Sequence, residues 1–240
     1  MTTYSNTISG SSPTVAELAV SQPGALSVFT KYNIDYCCGG NHSLEDACLS
    51  AGLNPEKIKQ EIFNAPVQET TISMRADQWS AAFLADYIVQ NHHEFVNHAI
   101  PELETLLEKV CHAHGEENME LLNIQQDFSD LAAELRNHMQ KEELVLFPAI
   151  KRIESNNDTG LLLVDTLQEP IEEMEHDHVI AGDLMKSIRN LSNHYQVPEY
   201  ACPTYQITYQ KLKAFDNDLM THVHLENNIL FRKASRVCNH

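Results

Sequence analysis

Basic residues, tryptophan and long apolar runs are all scarce in this chain, and each scarcity closes off a class of function. Only 16 Lys and Arg stand against 34 Asp and Glu in 240 residues, a formal net charge of -18. Phosphate recognition needs clustered cations, so neither nucleic acid nor an anionic membrane surface is an expected partner. No run of about 18 apolar residues occurs, which removes a transmembrane helix. Met1 to Pro13 is rich in Ser and Thr, without a basic start and an apolar stretch, so no secretory signal is expected. The six cysteines, two of them adjacent at Cys37 and Cys38, lack the even spread of a disulfide-stapled secreted domain. A reducing cytoplasm is the expected setting.

Histidine, by contrast, is plentiful, with 13 copies. Several fall in predicted helices among apolar residues, where an unpaired polar side chain is costly. His93, His138, His178 and His222 recur at intervals of 45, 40 and 44 residues, and Glu142 and Glu226 each follow one of them by four. Positions i and i+4 lie on one helix face, so His138 with Glu142, and His222 with Glu226, can converge on a point. The intervals suit one long helix plus a connection, so each of four helices can deliver a ligand to a shared interior site.

At this length the chain can hold one large domain and one small one. From Thr14 to about Phe63 the pattern is short and punctuated: a brief helix from Thr14, a break at Pro23-Gly24, a helix reaching Tyr32, and a loop from Asn33 to Asn41. Ser43-Leu44-Glu45-Asp46 resembles a capping box, and Asn54-Pro55-Glu56 places an N-cap before a proline at the first helical position. Residues 1–64 therefore read as a small helical domain. Residues 65–76 lack helical periodicity and read as a linker. Within 77–240 helical periodicity runs over about 77–113, 117–154, 161–195 and 203–234, separated by Gly115, the Ser155 to Gly160 stretch, and Gln196 to Pro203. Short separators favour antiparallel neighbours, so the fold class is all-α: an up-down four-helix bundle preceded by the small domain. Pro101 and Pro170 are expected to interrupt two of these helices or mark a first turn, with a kink near His93.

Imidazole and carboxylate together suit iron, manganese, zinc or copper, whereas calcium or magnesium asks for oxygen-rich ligands. Four His and two Glu exceed the needs of one tetrahedral zinc and point to two ions bridged by the carboxylates, with two irons the leading reading. At about six positions per iron, four imidazoles, two bridging glutamates and one bridging oxide fill about ten of about twelve places. The open positions suit a small diatomic molecule, peroxide, or the departure of a weakly held iron.

A single histidine on an apolar helix face is more often a hydrogen-bonded core residue than a ligand, but six ligand-type residues phased on four helices reverse that. His98, His112, His114, His194, His224 and His240 keep the ordinary reading. His92 and His176, each within two residues of a chosen ligand, compete with His93 and His178. Glu143 is rotated about 100° from Glu142 and reads as an outer or surface residue. Asp177 and Glu175 are candidates to orient ligand imidazoles. The methionines, including Met139, Met174, Met185 and Met220, read as core filling, and Cys48, Cys111, Cys202 and Cys238 carry no assigned role. Trp79 begins the first long helix as a packing anchor.

Taken with Tyr36-Cys37-Cys38-Gly39-Gly40, several segments carry a resemblance across almost the whole chain. They are His138-Met139-Gln140-Lys141-Glu142-Glu143 followed by Leu146-Phe147-Pro148, Pro170-Ile171 with His178 and Ala181-Gly182, and His222-Val223-His224-Leu225-Glu226-Asn227-Asn228. The chain resembles the iron-sulfur cluster repair di-iron proteins, the repair-of-iron-centres family, whose larger domain is hemerythrin-like. That family places its first ligand histidine eight residues before a proline and its third eight residues after one. Counting from Pro101 and Pro170 selects His93 and His178. The implied ligands are His93, His138, Glu142, His178, His222 and Glu226, holding two probably oxo-bridged irons between two bridging glutamates. Arg232 stands where the earlier Phe147-Pro148 has proline, which bears only on the end of the last helix.

Cys37 and Cys38 sit in a predicted loop beside two glycines, which permits close backbone approach. Adjacent cysteines rarely pair with each other, because the ring strains the connecting peptide. Thiolate ligation, redox chemistry, and relay of iron or nitric oxide remain open for them. The resemblance makes this pair the characteristic motif of the amino-terminal domain. It further implies repair of iron-sulfur clusters damaged by nitric oxide or oxidants, damaged iron-sulfur proteins as partners, and a homodimer built through the small domain. Competing readings are a protein that binds or senses oxygen or nitric oxide, and a nitric oxide reductase.

Overall fold

The structure, a computed structural model, describes residues 12–65, 75–155 and 160–236. Most of the expected linker, most of Met1 to Pro13, the breaker residues 156–159, and Cys238 and His240 lie outside those residues. Among the described residues every regular element is helical, apart from an isolated bridge between Thr14 and Ser43. Contacts divide the chain into two compact units, Met1–Asp77 and Gln78–His240.

The small unit holds α1 (Val15–Ser21), α2 (Ala25–Tyr32), α3 (Leu44–Ser50) and α4 (Pro55–Asn64). Local chemistry sets each boundary. Thr14 and Glu17 form a full capping box, the Glu17 N–H donating to Thr14 Oγ1 at 3.2 Å and the Thr14 N–H donating to Glu17 Oε2 at 2.9 Å. Asn33, with φ of 52°, closes α2 in the left-handed conformation that asparagine tolerates. The Asn54 side chain accepts from the Glu56 and Lys57 N–H groups, with Pro55 at the first helical position. Phe29, Tyr36, Leu44, Cys48 and Ile58 fill the interior of this unit.

The large unit is built of four rods. The first joins α5 (Ala81–Ile88), a π turn (Val89–His93) and α6 (Glu94–His114). The second joins α7 (Met119–Lys141), a π turn (Glu142–Leu146) and α8 (Phe147–Ser155). The third is α9 (Gly160–Leu191). The fourth joins α10 (Pro203–Leu225), a π turn (Glu226–Leu230) and α11 (Phe231–Arg236). Helix α7 packs against α6 and α9, and α10 against α6 and α9. Apolar residues at helical spacing line the interior, among them Leu103, Leu107, Phe128, Leu131, Leu212 and Phe215. Phe128 and Phe215 meet edge to face at 5.4 Å. Burial of each such side chain contributes about 1.5–3 kcal/mol, which holds the rods together without help from the polar interior.

Three expectations need correction. Pro101 and Pro170 lie inside α6 and α9 and end neither helix. The irregularity beside His93 is instead a π turn, in which the backbone admits an extra residue. The first rod begins at Ala81, after the Ser80 cap, with the Ala81 and Ala82 N–H groups also donating to the Glu154 carboxylate at 2.8 Å each. Trp79 therefore precedes the helix and packs edge-on against Phe83 at 4.9 Å. The third rod stops at Leu191 rather than 195, because Asn193, His194 and Tyr195 take left-handed φ angles of 47°, 58° and 62°. That turn lets the buried Tyr195 hydroxyl donate to Asp216 Oδ2 at 2.9 Å, where the Arg189 guanidinium also binds at 2.6 and 2.8 Å.

Candidate metal centre

All six residues singled out in the bundle meet in its interior. His93, Glu142 and Glu226 are fully buried, and His138, His178 and His222 are 3% exposed or less. They fall into two groups, His93, His222, Glu142 and Glu226, and His138, His178, Glu142 and Glu226, within each of which the ligand atoms lie inside 4.8 Å of one another. Both glutamates belong to both groups. In the first, His93 Nε2 lies 3.3 Å from Glu142 Oε2 and 3.8 Å from Glu226 Oε1, and His222 Nε2 lies 2.8 Å from Glu226 Oε1. In the second, His138 Nε2 lies 3.3 Å from Glu142 Oε2, His178 Nε2 lies 3.1 Å from Glu226 Oε2, and the two imidazole Nε2 atoms are 2.9 Å apart.

The rods place these groups through a repeated device. Second and fourth rods share the pattern His-x3-Glu-x3-Leu-Phe, from His138 to Phe147 and from His222 to Phe231. In each, the glutamate opens a π turn and the phenylalanine follows it. Phe147 stacks over His93 at 5.7 Å with an interplanar angle of 23°, and Phe231 over His178 at 6.0 Å and 7°. The residue after each glutamate orients the same imidazole: His93 Nδ1 bonds Glu143 Oε1 at 2.8 Å, and His178 Nδ1 bonds Asn227 Oδ1 at 2.8 Å. Each glutamate thus brings along, within five residues, the acceptor and the apolar roof of a histidine on another rod. The outer contact fixes which ring nitrogen faces inward.

Of the two competitors, His176 is exposed, while His92 is buried but turned elsewhere. Its Nδ1 bonds Asp218 Oδ1 at 3.0 Å, and its ring lies parallel to His222 at 5.4 Å and 10°. Asp177 Oδ2 lies 3.5 Å from His138 Nδ1 and also meets Lys141 at 3.3 Å, whereas Glu175 is exposed. Sequence reasoning left Glu143 between an outer-contact and a surface role. It missed Asn227, Phe147 and Phe231, although the repeated His-x3-Glu-x3-Leu-Phe pattern carried the signal.

The electrostatics fit cation ligation. Among the described residues, every ionic partner of Glu142 and Glu226 within 4.0 Å is a histidine. Both Glu142 oxygens, Glu226 Oε2 and His93 Nε2 are buried without a hydrogen-bond partner, an arrangement that costs free energy unless an ion collects those lone pairs. Burial opposes charge on His93, yet contact with Glu142 and Glu226 pushes its pKa up to about 10. Burial likewise opposes charge on His138, and Glu142, Glu226 and Asp177 raise it to about 9. For His222 burial prevails and lowers the pKa. Burial and Glu226 push Glu142 upward, but His138 and His93 outweigh them and lower it. Glu226 is held well below the usual carboxylate range, burial being overcome by His222, His178 and His93. Protons on two imidazoles occupy the electrostatic place that cations would take.

In the small unit the Asp35 carboxylate joins Cys37 and Cys38 in a second group of potential donors. Cys202 Sγ, in the large unit, lies 3.4 Å from His114 Nε2.

Two imidazole pairs sharing two buried carboxylates define a cation-binding bundle of the hemerythrin type. Residues 84–234 match the family described as the hemerythrin HHE cation binding domain, and residues 11–65 match a domain of unknown function, DUF542. A probable iron-sulfur cluster repair protein of Haemophilus influenzae is 36% identical over 220 residues, 90% of this chain and 94% of that protein. Iron-sulfur cluster repair protein YtfE of Shigella boydii is 35% identical over 92% of this chain and 95% of its own, and that of Escherichia coli O8 is 34% identical over the same shares. The chain belongs to the iron-sulfur cluster repair family.

Proposed function

We propose that this protein repairs iron-sulfur clusters damaged by nitric oxide or oxidants, using a pair of irons held by His93, His138, Glu142, His178, His222 and Glu226. The observation that carries this reading is the sharing of both buried glutamates by two imidazole pairs. The relatives' printed names supply the repair activity. In this reading Glu142, Glu226 and an oxide bridge the irons, which when bound supply one-electron redox change and an exchangeable store of iron. The protein's own contribution is positional. Glu143 and Asn227 present Nε2 of His93 and His178 to the interior, and Phe147 and Phe231 cover those rings against water. The partners are damaged iron-sulfur proteins in the cytoplasm. Among the described residues no helix is long and apolar enough to cross a membrane. Assembly as a homodimer rests on the family resemblance. Cys37 and Cys38 serve repair from the small domain.

An anaerobic assay tests the proposal. A [4Fe-4S] enzyme inactivated by nitric oxide should recover activity with the iron-loaded protein, and much less with a protein carrying Glu142→Leu. Equal recovery with both would refute the role of the bundle site. Replacing Cys37 and Cys38 together by Ala should leave bundle iron intact and impair recovery.

A further inference from the structure

We propose that Asp35, Cys37 and Cys38 form a second, mononuclear site for a thiophilic divalent cation, of the class of ferrous iron or zinc, separate from the bundle. The assignment deepens the reading of the cysteine pair as functional and rests on it. Its test reads cation binding rather than repair, so the two can fail independently.

The spacing of the donors carries the argument. The Cys37 and Cys38 sulfurs stand 3.8 Å apart, and Cys37 Sγ lies 3.3 Å from Asp35 Oδ1. A tetrahedral ion with metal–sulfur bonds of about 2.3 Å separates two thiolate sulfurs by about 3.8 Å. With a metal–oxygen bond of about 2.0 Å, the sulfur-to-oxygen edge is about 3.5 Å. Both edges are therefore near those of a coordination tetrahedron, whereas a disulfide would need the sulfurs about 2.05 Å apart.

The loop is also built to hold this arrangement. Asp35 Oδ1 accepts the backbone N–H groups of Cys37 and Cys38, each at 3.0 Å, which fixes the carboxylate over the pair. The Val15 and Ala16 N–H groups at the start of α1 donate to the carbonyls of His42 and Gly40 at 3.0 and 2.9 Å, tethering the far side of the loop. Tyr36, 2% exposed, stacks on Phe29 at 6.2 Å and anchors the near side. A Cβ at Gly40 would stand 2.8 Å from the Ala16 Cβ, and one at Gly39 would stand 3.2 Å from the Asp35 carboxylate. Glycine at these two positions keeps the loop on the helix and the carboxylate unobstructed.

Two thiols and a carboxylate are soft and hard donors in a mixture that suits iron or zinc and disfavours calcium or magnesium. Three protein ligands leave one tetrahedral position for water or an incoming donor, as in sites that exchange their contents rather than lock them. Binding breaks two S–H bonds, forms two metal–sulfur bonds and sends two protons to solvent, with no electron transferred. Its hydrogen bond with Cys38, together with burial, raises the Cys37 thiol well above its usual range, so the empty site keeps its protons until a cation displaces them.

Cobalt(II) is the probe, added anaerobically to the full chain after its bundle has been loaded with iron. One cobalt per chain should develop a thiolate-to-cobalt charge-transfer band. The band should vanish when Cys37 and Cys38 are both replaced by Ser, and Asp35→Asn should weaken binding about tenfold or more with circular dichroism unchanged. A measurement without variants guards against misfolding: cobalt should slow alkylation of Cys37 and Cys38, read by mass spectrometry, relative to the cobalt-free chain. No band in the wild-type chain, a band that survives the double replacement, undiminished binding by Asp35→Asn, or equal alkylation with and without cobalt overturns the proposal.

Discussion

His93 Nδ1 and Glu143 Oε1 stand 2.8 Å apart across a sequence separation of 50 residues, and their counterparts His178 and Asn227 repeat the contact at 2.8 Å. The two halves of the site thus share a geometry but differ in charge. A carboxylate makes the imidazole it holds more electron-rich than an amide does. Glu143→Gln is expected to raise the reduction potential of the iron-loaded bundle and weaken iron binding by about 10–100-fold, and Asn227→Asp to lower the potential. Spectroelectrochemical titration of the two variants checks both signs, and shifts in the same direction would contradict the asymmetry.

Glu142→Leu removes a carboxylate shared by both groups while supplying an apolar side chain that a bundle interior accepts. The expected result is a helical protein whose iron content falls from about two per chain to about one or fewer. Metal analysis alongside circular dichroism measures this; two irons retained would dismiss Glu142 as a bridge.

Loading with metal should release protons. His93 and His138, raised to about 10 and about 9, hold their protons at neutral pH in the metal-free protein. A cation must displace both, so apparent affinity rises with pH until it passes those values and then levels. Calorimetric titration with ferrous iron near pH 7, in buffers of different ionisation enthalpy, is expected to report about two protons released. Heats independent of buffer would count against it.

Cys202 is expected to be the most readily alkylated thiol of the large unit's described residues near neutral pH. Its hydrogen bond with His114, aided by backbone N–H groups of Tyr205 and Thr204 at the start of α10, lowers its pKa, whereas burial raises that of Cys111. Timed labelling with iodoacetamide should show Cys202 modified well before Cys111, and His114→Ala should slow it. Equal rates for the two cysteines would be inconsistent with this.

Phe231, 1% exposed and stacked on His178, tests the roof. Phe231→Ala is expected to cost about 3–5 kcal/mol in unfolding free energy measured with urea, through the cavity it leaves. A loss below about 1 kcal/mol would mean the site collapses around the gap.

Much of this arrangement was legible in the sequence because helices impose a period. His138 with Glu142 and His222 with Glu226 stand out at i and i+4, the separation at which side chains share a face. Asn54-Pro55 likewise announced the start of α4, since the cap and the proline act within three residues. What stayed hidden depends on contacts between rods or on departures from the period. His92 and His93 are neighbours, and no periodic rule decides which turns inward when a π turn carries both. The early stop of the third rod follows from Asp216 drawing in Arg189 and Tyr195 from another rod, a pairing no local pattern records. Pro101 misled for the converse reason: packing of α6 against α7 and α10 sustains a helix through a residue that cannot donate.

The three π turns bear on how such a site can change. Each admits one surplus residue into a helix, and one residue in an ordinary helix corresponds to a rotation of about 100°. Excising a single amino acid from Glu142–Leu146 would swing Phe147 away from His93 while leaving hydrophobicity, length and charge almost untouched. Descendants of this gene can therefore drift widely in composition along these rods, but a lone codon gained or lost there would dismantle the cage in one step.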